Sequence, residues 1–369
     1  MSNKTMKREF ISICLVAVIA LSFACSGQKI GENNGSSGAD GGNRLQGSGS
    51  TFVKPMMDKW TSEYGKLNPT VKIDYQSTGS GAGIKAIQNQ TADFGASDAA
   101  MTDDELKQTS AGEIVHIPVV LGAVVLTYNL PEVKVPLRLT SELISDIFLG
   151  KIKKWDDPKL KTENPGVQLP NSDITPVFRA DGSGTSDVFT DYLSKTVPEF
   201  KDKVGRTKNP QLPQGIGIGG KGNEGVMGQV KNTPNTIGYV ELTFAKANNL
   251  PTALIKNSSG TFIEPNSETV TNAAAGMADK MPEDLRFEIT NAEGANAYPI
   301  SGVVYALVYK DQKDATKGKI LADYLWWAIH DGEQFVKALH YAPIPPALVT
   351  KTEVKINSLS NSGKLLRQQ

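Results

Sequence analysis

Arg179 and Asp181 stand directly before a run of small residues, Gly182, Ser183, Gly184 and Thr185. The preceding residues 174–178 are typical of a strand, and an apolar face at helical spacing follows, formed by Val188, Phe189, Tyr192 and Leu193. We therefore predict a helix that begins near Ser183 or Thr185. The unpaired N–H groups and positive end of such a helix favour an anion, which an arginine can bind in a bidentate manner. The same small residues are also ordinary helix caps and turns, so this stretch alone allows either interpretation.

The tripeptide Gly-Ser-Gly occurs at three places, starting at Gly47, Gly79 and Gly182. The first precedes an amphipathic helical pattern that reaches Leu67, and the second follows a predicted strand at residues 71–77 and opens another helix. In α/β folds the carboxyl ends of strands face a common crevice, so the three turns could converge on one ligand.

Asp98 lies in the segment "ADFGASDA", beyond a short strand that we predict to end at Phe94 and before a polar helix start at Thr102. A carboxylate at this place either caps local N–H groups or faces the same crevice. Asp181 has a similar ambiguity, since it could orient Arg179 or form an ordinary turn.

The chain has 369 residues with 39% hydrophobic content, which is enough for two α/β domains with cores of their own. Two β-prone runs, residues 117–129 and 298–310, could cross between the domains as a two-segment hinge. One lobe would then contain residues 47–122 and 299–369, and the other residues 123–298. Alternatively, the two runs are core strands of one large sheet.

The amino terminus has the pattern of a secretory signal peptide over residues 1–24, with basic residues followed by an apolar stretch. Cys25 follows Ala24 as in the cleavage and acylation site of bacterial lipoproteins, although ordinary secretion after the same alanine is the alternative. Residues 25–46 are rich in Gly, Ser and Asn, which is typical of a flexible linker. Cleavage leaves 36 basic and 38 acidic residues, so nothing in the net charge favours nucleic acid.

Motifs for other chemistry are incomplete. The segment "GIGIGGKGN" at residues 215–223 has Gly222 where a nucleotide-binding P-loop needs Ser or Thr, so we interpret it as a mobile glycine-rich loop at the crevice rim. The three histidines, His116, His330 and His340, lack metal-site spacing, so we expect no metal and no cofactor. Residues 326–349 predict an amphipathic helix with a proline-broken end.

Seven segments together closely resemble the extracytoplasmic phosphate-binding protein of bacterial high-affinity phosphate ABC transporters. In chain order they are "GSGSTFV", "GSGAGIK", "ADFGASDA", "LGKIKKWDDP", "RADGSGTS", "GIGGKGN" and "IGYVE". The resemblance implies a two-lobed periplasmic-binding-protein fold of type II, with two α/β domains joined by a two-segment hinge. It implies no enzymatic activity; a secreted phosphoester hydrolase, or a receptor for another tetrahedral oxyanion, remains the alternative.

By the same resemblance, phosphate lies between the lobes. The implied binding residues are Thr51, Phe52, Ser80, Asp98, Arg179, Ser183, Gly184 and Thr185, with Asp181 supporting Arg179. Gly81 and Ala82 depart from the usual family pattern, in which a second serine followed by glycine is common. The expected partners are inorganic phosphate, the permease and ATPase subunits of the transporter, and the membrane through lipid on Cys25. We expect an exported, membrane-attached monomer.

Overall fold

The structure is a computed structural model that describes residues 43–109, 111–277 and 280–367. The predicted signal peptide, Cys25 and the linker up to residue 42 lie outside these residues. Strand β1 begins at Arg44, so the predicted linker, which ends at Gln46, overlaps the first three residues of this strand. This strand was not predicted from the sequence, because Leu45 is its only large apolar residue. Hydrogen-bonded pairing with β2 on one side and β3 on the other holds the strand in place.

The described part of the chain alternates between strands and helices. In chain order these are β1 Arg44–Gly49, α1 Lys54–Leu67, β2 Lys72–Ser77, α2 Ser80–Gln88, β3 Phe94–Ser97, α3 Asp103–Lys107, β4 Ile114–Tyr128, β5 Arg138–Leu139, α4 Ser141–Phe148, α5 Pro158–Glu163, β6 Thr175–Arg179, α6 Gly184–Thr196, α7 Pro198–Lys203, β7 Ile218–Gly220, α8 Gly222–Asn232, β8 Thr236–Glu241, α9 Leu242–Ala247, β9 Leu254–Lys256, β10 Phe262–Ile263, α10 Ser267–Ala275, β11 Ser301–Tyr309, α11 Ala315–Ile329, α12 Pro346–Asn357, β12 Ser360–Asn361 and β13 Lys364–Leu365. Two short 3-10 helices, Asp331–Phe335 and Lys337–Leu339, separate α11 from α12.

Eight strands form one continuous sheet in the order β2-β1-β3-β11-β4-β8-β6-β7. Strand β1 runs parallel to β2 and β3, and β6 runs parallel to β7 and β8. Strands β11 and β4 lie between these two groups, and β11 is antiparallel to both β3 and β4. Two groups of parallel strands therefore meet in the middle of the sheet.

Strand β4 belongs to both groups. Its residues from Ile114 to Ala123 pair with β11, and its residues from Val124 to Tyr128 pair with β8. All 15 residues of β4 are buried, as expected of a strand covered on both faces. The predicted β runs at residues 117–129 and 298–310 correspond to β4 and β11, with somewhat different bounds.

Two local predictions are wrong. Phe94 begins β3 instead of ending a strand. Of the residues 326–349, predicted as a helix with a proline-broken end, only 326–329 and 346–349 are α-helical: α11 ends at Ile329, and the chain turns through His340, whose backbone is left-handed (φ 62°). The prolines suit the start of a helix, since Pro346 is the first residue of α12. In the described part of the chain, no helix is both long and apolar enough to cross a membrane.

Candidate functional site

The residues singled out from the sequence lie at the carboxyl ends of strands. Thr51 follows β1, Ser80 follows β2 and Asp98 follows β3. From the other group of strands, Arg179 is the last residue of β6, and Thr185 lies in the first turn of α6. The structure brings these side chains together where the two groups of strands face each other, and each is at most 4% exposed.

Asp98 is the carboxylate on which residues from both groups converge. The Ser50 hydroxyl donates to its Oδ1, and the Thr185 hydroxyl donates to its Oδ2 at 3.3 Å. The N–H of Asp98 donates to Ser80 Oγ at 3.3 Å. Among the described residues, the Asp98 carboxylate accepts hydroxyl groups and no main-chain N–H group, and α3 is capped by Thr102 instead.

Arg179 is held in a bidentate ion pair with Asp181. Its Nε donates to Oδ1 at 2.8 Å, and its NH2 donates to Oδ2 at 2.6 Å. The remaining NH1 donates to Thr185 Oγ1 at 3.3 Å, which aims this edge of the guanidinium at the residues around Asp98. Asp181 thus orients the arginine and reduces its net charge, while its Oδ1 also accepts the N–H of Gly222 at 3.0 Å.

Ser183 caps helix α6, because its hydroxyl accepts the N–H of Ser186 at 3.0 Å. Helix α6 therefore begins where the sequence predicted. The Ser183 hydroxyl therefore serves as a helix cap, which is one of the two interpretations that the sequence allowed for this stretch. The side chains of Thr185 and Arg179 instead lie beside Asp98.

Several main-chain donors in this region are unused. The N–H groups of Phe52, Ser80, Gly184 and Thr185 have no acceptor among residues 43–109, 111–277 and 280–367. Buried N–H groups almost always find a partner. Four such donors beside one arginine, two of them in the first turn of α6, are the arrangement that binds an anion.

Gly184 leaves no space for a side chain. A Cβ at this residue would lie 2.5 Å from Ser80 Oγ and 2.7 Å from Asp98 Oδ2, which is closer than real Cβ contacts. The backbone of α6 therefore approaches the carboxyl ends of β2 and β3 as closely as a peptide allows.

Burial dominates the electrostatics of Asp98. Desolvation raises the pKa of Asp98 from 3.8 to about 6, against the opposing effects of the Ser50 hydroxyl and the Arg179 guanidinium. Burial would also raise the pKa of Asp181, but the hydrogen bonds and charge of Arg179 outweigh it and lower the pKa. The pKa values of Asp98 and Asp181 are thus shifted in opposite directions.

Asn223, which was not predicted from the sequence, connects the two groups of strands. Its Nδ2 donates to Thr51 Oγ1 at 2.8 Å and to Thr185 Oγ1 at 3.1 Å, and its own N–H donates to Thr51 Oγ1 at 3.1 Å. Its Oδ1 accepts the N–H of Glu241 at 2.8 Å. Asn223 is fully buried in the first turn of α8, so the prediction of a mobile rim loop is wrong for residues 218–223. The segment "GIGGKGN" is one of the seven that resemble the phosphate-binding family, but its asparagine was given no role.

Ser50 was also missed, although it follows the first Gly-Ser-Gly directly. Its main-chain carbonyl accepts the hydroxyl of Tyr75 at 2.7 Å, which fixes the turn that aims its side chain at Asp98. Among the described residues, no group of three His, Cys, Asp or Glu side chains could hold a metal ion.

Comparison with known proteins decides the family. A model described as a PBP superfamily domain matches residues 34–331. The phosphate-binding protein PstS of Xylella fastidiosa is 40% identical over 311 residues, which is 84% of this chain and 84% of that protein. The chain belongs to the PstS family. The family also has a member in Methanocaldococcus jannaschii, at 37% identity over 81% of each chain.

Solved structures similar to this chain include a phosphate-binding protein from Stenotrophomonas maltophilia, with a TM-score of 0.63 and 19% identity, covering 84% of this chain and 93% of that one. An ABC-type phosphate transport receptor from Vibrio cholerae has a TM-score of 0.54 and 17% identity, covering 82% and 100%. These likenesses concern the fold, which is the two-lobed periplasmic-binding-protein fold predicted from the sequence.

Proposed function

We propose that this protein binds inorganic phosphate between two lobes and delivers it to a membrane ABC permease for import. The observation that carries the proposal is the set of four unpaired, buried N–H groups beside Arg179 and Asp98. The PstS relatives are named as phosphate-binding proteins, which supports the same ligand.

In this proposal, residues 47–122 and 299–369 form lobe I and residues 123–298 form lobe II, with β1 extending lobe I back to Arg44. The exchange of pairing partners along β4, from β11 at Ala123 to β8 at Val124, supports a boundary at this point. Bending of β4 and of the connection before β11 would then open and close the cleft.

Phosphate would receive hydrogen bonds from the N–H groups of Phe52, Ser80, Gly184 and Thr185 and from the guanidinium of Arg179. The hydroxyls of Thr51, Ser80 and Thr185 would add further donors, and Ser183 would hold the helix start in place. Hydrogen bonds to a charged partner contribute roughly 1.5–3 kcal/mol each, so a few of them are sufficient for tight binding.

Asp98 would select for phosphate because an ionised carboxylate can accept a hydrogen bond but cannot donate one. Phosphate near neutral pH carries a proton that it can donate to Asp98. Sulfate carries none and would face an unpaired buried charge, which is a large penalty.

The proposal also includes the oligomeric state, the partners and the location of the protein. The protein would act without catalysis, as a monomer, with an ABC permease and its ATPase as partners. It would be held outside the cytoplasm by lipid on Cys25. Substitution Cys25→Ser should leave phosphate affinity unchanged and release the protein from the membrane fraction; retention at the membrane would refute the anchor.

The test of function is isothermal titration of residues 25–369 carrying Cys25→Ser, after unfolding and refolding to remove carried-over ligand. We expect one phosphate per chain and no heat of binding from sulfate. Failure of the folded protein to bind phosphate would refute the proposal, and turnover of a chromogenic phosphoester would favour the hydrolase.

The test of Asp98 is the substitution Asp98→Asn, which should narrow the preference for phosphate over sulfate. Asp104→Asn is the matched control, because it removes the same charge from a side chain that is 85% exposed. Unchanged selectivity in Asp98→Asn would remove the role assigned to this carboxylate.

A further inference from the structure

Two direct contacts join the proposed lobes at the edge of the site, beside the residues that present the anion-binding N–H groups. Glu105 and Lys208 form an ion pair, and the N–H of Gly81 donates to the carbonyl of Gly182 at 2.9 Å. The four residues of these contacts line one open cavity of about 490 Å³, and Lys85 also lines it. We propose that these two contacts are a clasp that sets the rate at which phosphate leaves. The inference rests on the proposed function and adds residues that the family resemblance did not include.

Glu105, the lobe I residue of the ion pair, is held in place by a contact that does not involve Lys208. Glu105 lies on α3, and its carboxylate accepts the N–H of Thr102 at 2.8 Å in a capping box. Both of its oxygens accept hydrogen bonds from Lys208 Nζ, at 2.9 and 3.0 Å. The carboxylate therefore gives up little conformational freedom when the pair forms.

The lobe II side of the ion pair is connected to the binding site through the main chain. The carbonyl of Lys208 accepts the N–H of Ser183 at 3.0 Å, and Ser183 is the cap of α6. The residue that reaches across to Glu105 is thus the one that holds the start of α6, where Gly184 and Thr185 present their N–H groups. Its side chain is only 12% exposed, so water screens the pair weakly.

The Gly81 contact uses a donor that would otherwise be available to the anion. Gly81 is the second residue of α2, where a helix N–H has no partner within the helix. Here it bonds to Gly182, and a Cβ at Gly81 would lie 3.1 Å from Gly182 Cα and 3.2 Å from its carbonyl oxygen. The glycine that departs from the family pattern therefore permits direct contact between two main chains across the cleft.

A contact made only when the lobes meet stabilises the closed form relative to the open form. Removing it should leave the rate of phosphate association nearly unchanged and increase the rate of release. For one partly buried ion pair, we expect release to become about threefold to tenfold faster.

The test is stopped-flow measurement of phosphate association and release for Lys208→Met, Glu105→Gln and the double variant. Methionine keeps the apolar stem of the lysine and the main-chain carbonyl, and glutamine can still accept the N–H of Thr102. The matched control is Lys317→Met, which breaks a partly buried ion pair with Asp93 that lies within lobe I. Release should be faster in the three clasp variants and unchanged in the control.

Two further readouts separate a clasp from a general loss of structure. The double variant should release phosphate no faster than either single variant, because both substitutions remove the same interaction. Salt should accelerate release slightly more in the wild type than in Lys208→Met, because only the wild type has this ion pair to screen. Gly81→Ala tests the second contact, with Gly65→Ala as its control, because no atom lies within 4 Å of a Cβ at Gly65.

The clasp is refuted if the wild type binds phosphate and Lys208→Met releases it at the wild-type rate, or if the two single effects add in the double variant. A wild type that does not bind phosphate would instead refute the proposed function, so the two failures can be told apart.

Discussion

The burial of Asp98 predicts a specific dependence of stability on pH. In the unfolded chain an aspartate ionises at a pKa of about 3.9, whereas burial raises the pKa of Asp98 in the folded protein to about 6. Between these two values the folded state holds a proton that the unfolded state has lost. The free energy of unfolding must therefore fall as pH rises through this window, and it reaches its new level above pH 6.

The size of the effect follows from the difference in pKa. About two pKa units at 1.36 kcal/mol each correspond to about 3 kcal/mol, an upper estimate because a buried site relaxes on ionisation. The substitution Asp98→Asn removes the ionisation and keeps an oxygen that can accept the Ser50 hydroxyl. The variant should therefore be more stable than the wild type above pH 6, by up to about 3 kcal/mol, and should lose most of this advantage near pH 4.5.

The test is urea unfolding of the ligand-free proteins at pH 4.5 and pH 7.5, in phosphate-free buffer. It measures the difference in the free energy of unfolding between Asp98→Asn and the wild type. The advantage of Asp98→Asn should grow by about 2 kcal/mol between the two conditions. Asp104→Asn should show no such growth, since its side chain is 85% exposed. A constant difference between Asp98→Asn and the wild type would refute the argument that burial controls this carboxylate.

Three further substitutions test the site. Gly184→Ala should weaken phosphate binding in titration at least tenfold, because its Cβ would lie 2.5 Å from Ser80 Oγ; wild-type affinity would contradict this packing. Asn223→Ala should lower the free energy of unfolding by about 1–3 kcal/mol in urea and weaken binding, since Thr51 Oγ1 loses a donor within the core. Arg179→Lys should weaken binding about tenfold or more in the same titration, because an ammonium group cannot replace the bidentate guanidinium; equal affinity would contradict the role of its shape.

The sequence predicted the elements whose pattern is local. The alternation in residues 71–77 indicated β2, and the small residues before Val188 indicated the start of α6, because strand pleat and helix capping act over a few residues. The resemblance to phosphate-binding proteins, based on seven short segments, was confirmed by the family comparisons.

The features that the sequence did not reveal depend on distant contacts. Nothing near Asn223 indicates that its side chain meets Thr51, which is 172 residues away. Strand β1 was not predicted for the same reason, since its two glycines and one serine favour a strand weakly and are held in one by pairing with β2 and β3. The pairing of β4 with two different partners likewise follows from the assembled sheet and not from the composition of the run.

The position of β11 has a consequence for how the protein acquires its structure. Strand β11 lies between β3 and β4, so residues 301–309 must insert between segments that are made much earlier, such as residues 94–97 and 114–123. Contacts of such high sequence separation slow folding, because a long loop must close before they form. A nascent chain that ends before Ser301 would leave the edges of β3 and β4 unpaired and open to aggregation. The topology of the sheet therefore delays completion of the fold until residues 301–309 have been synthesised.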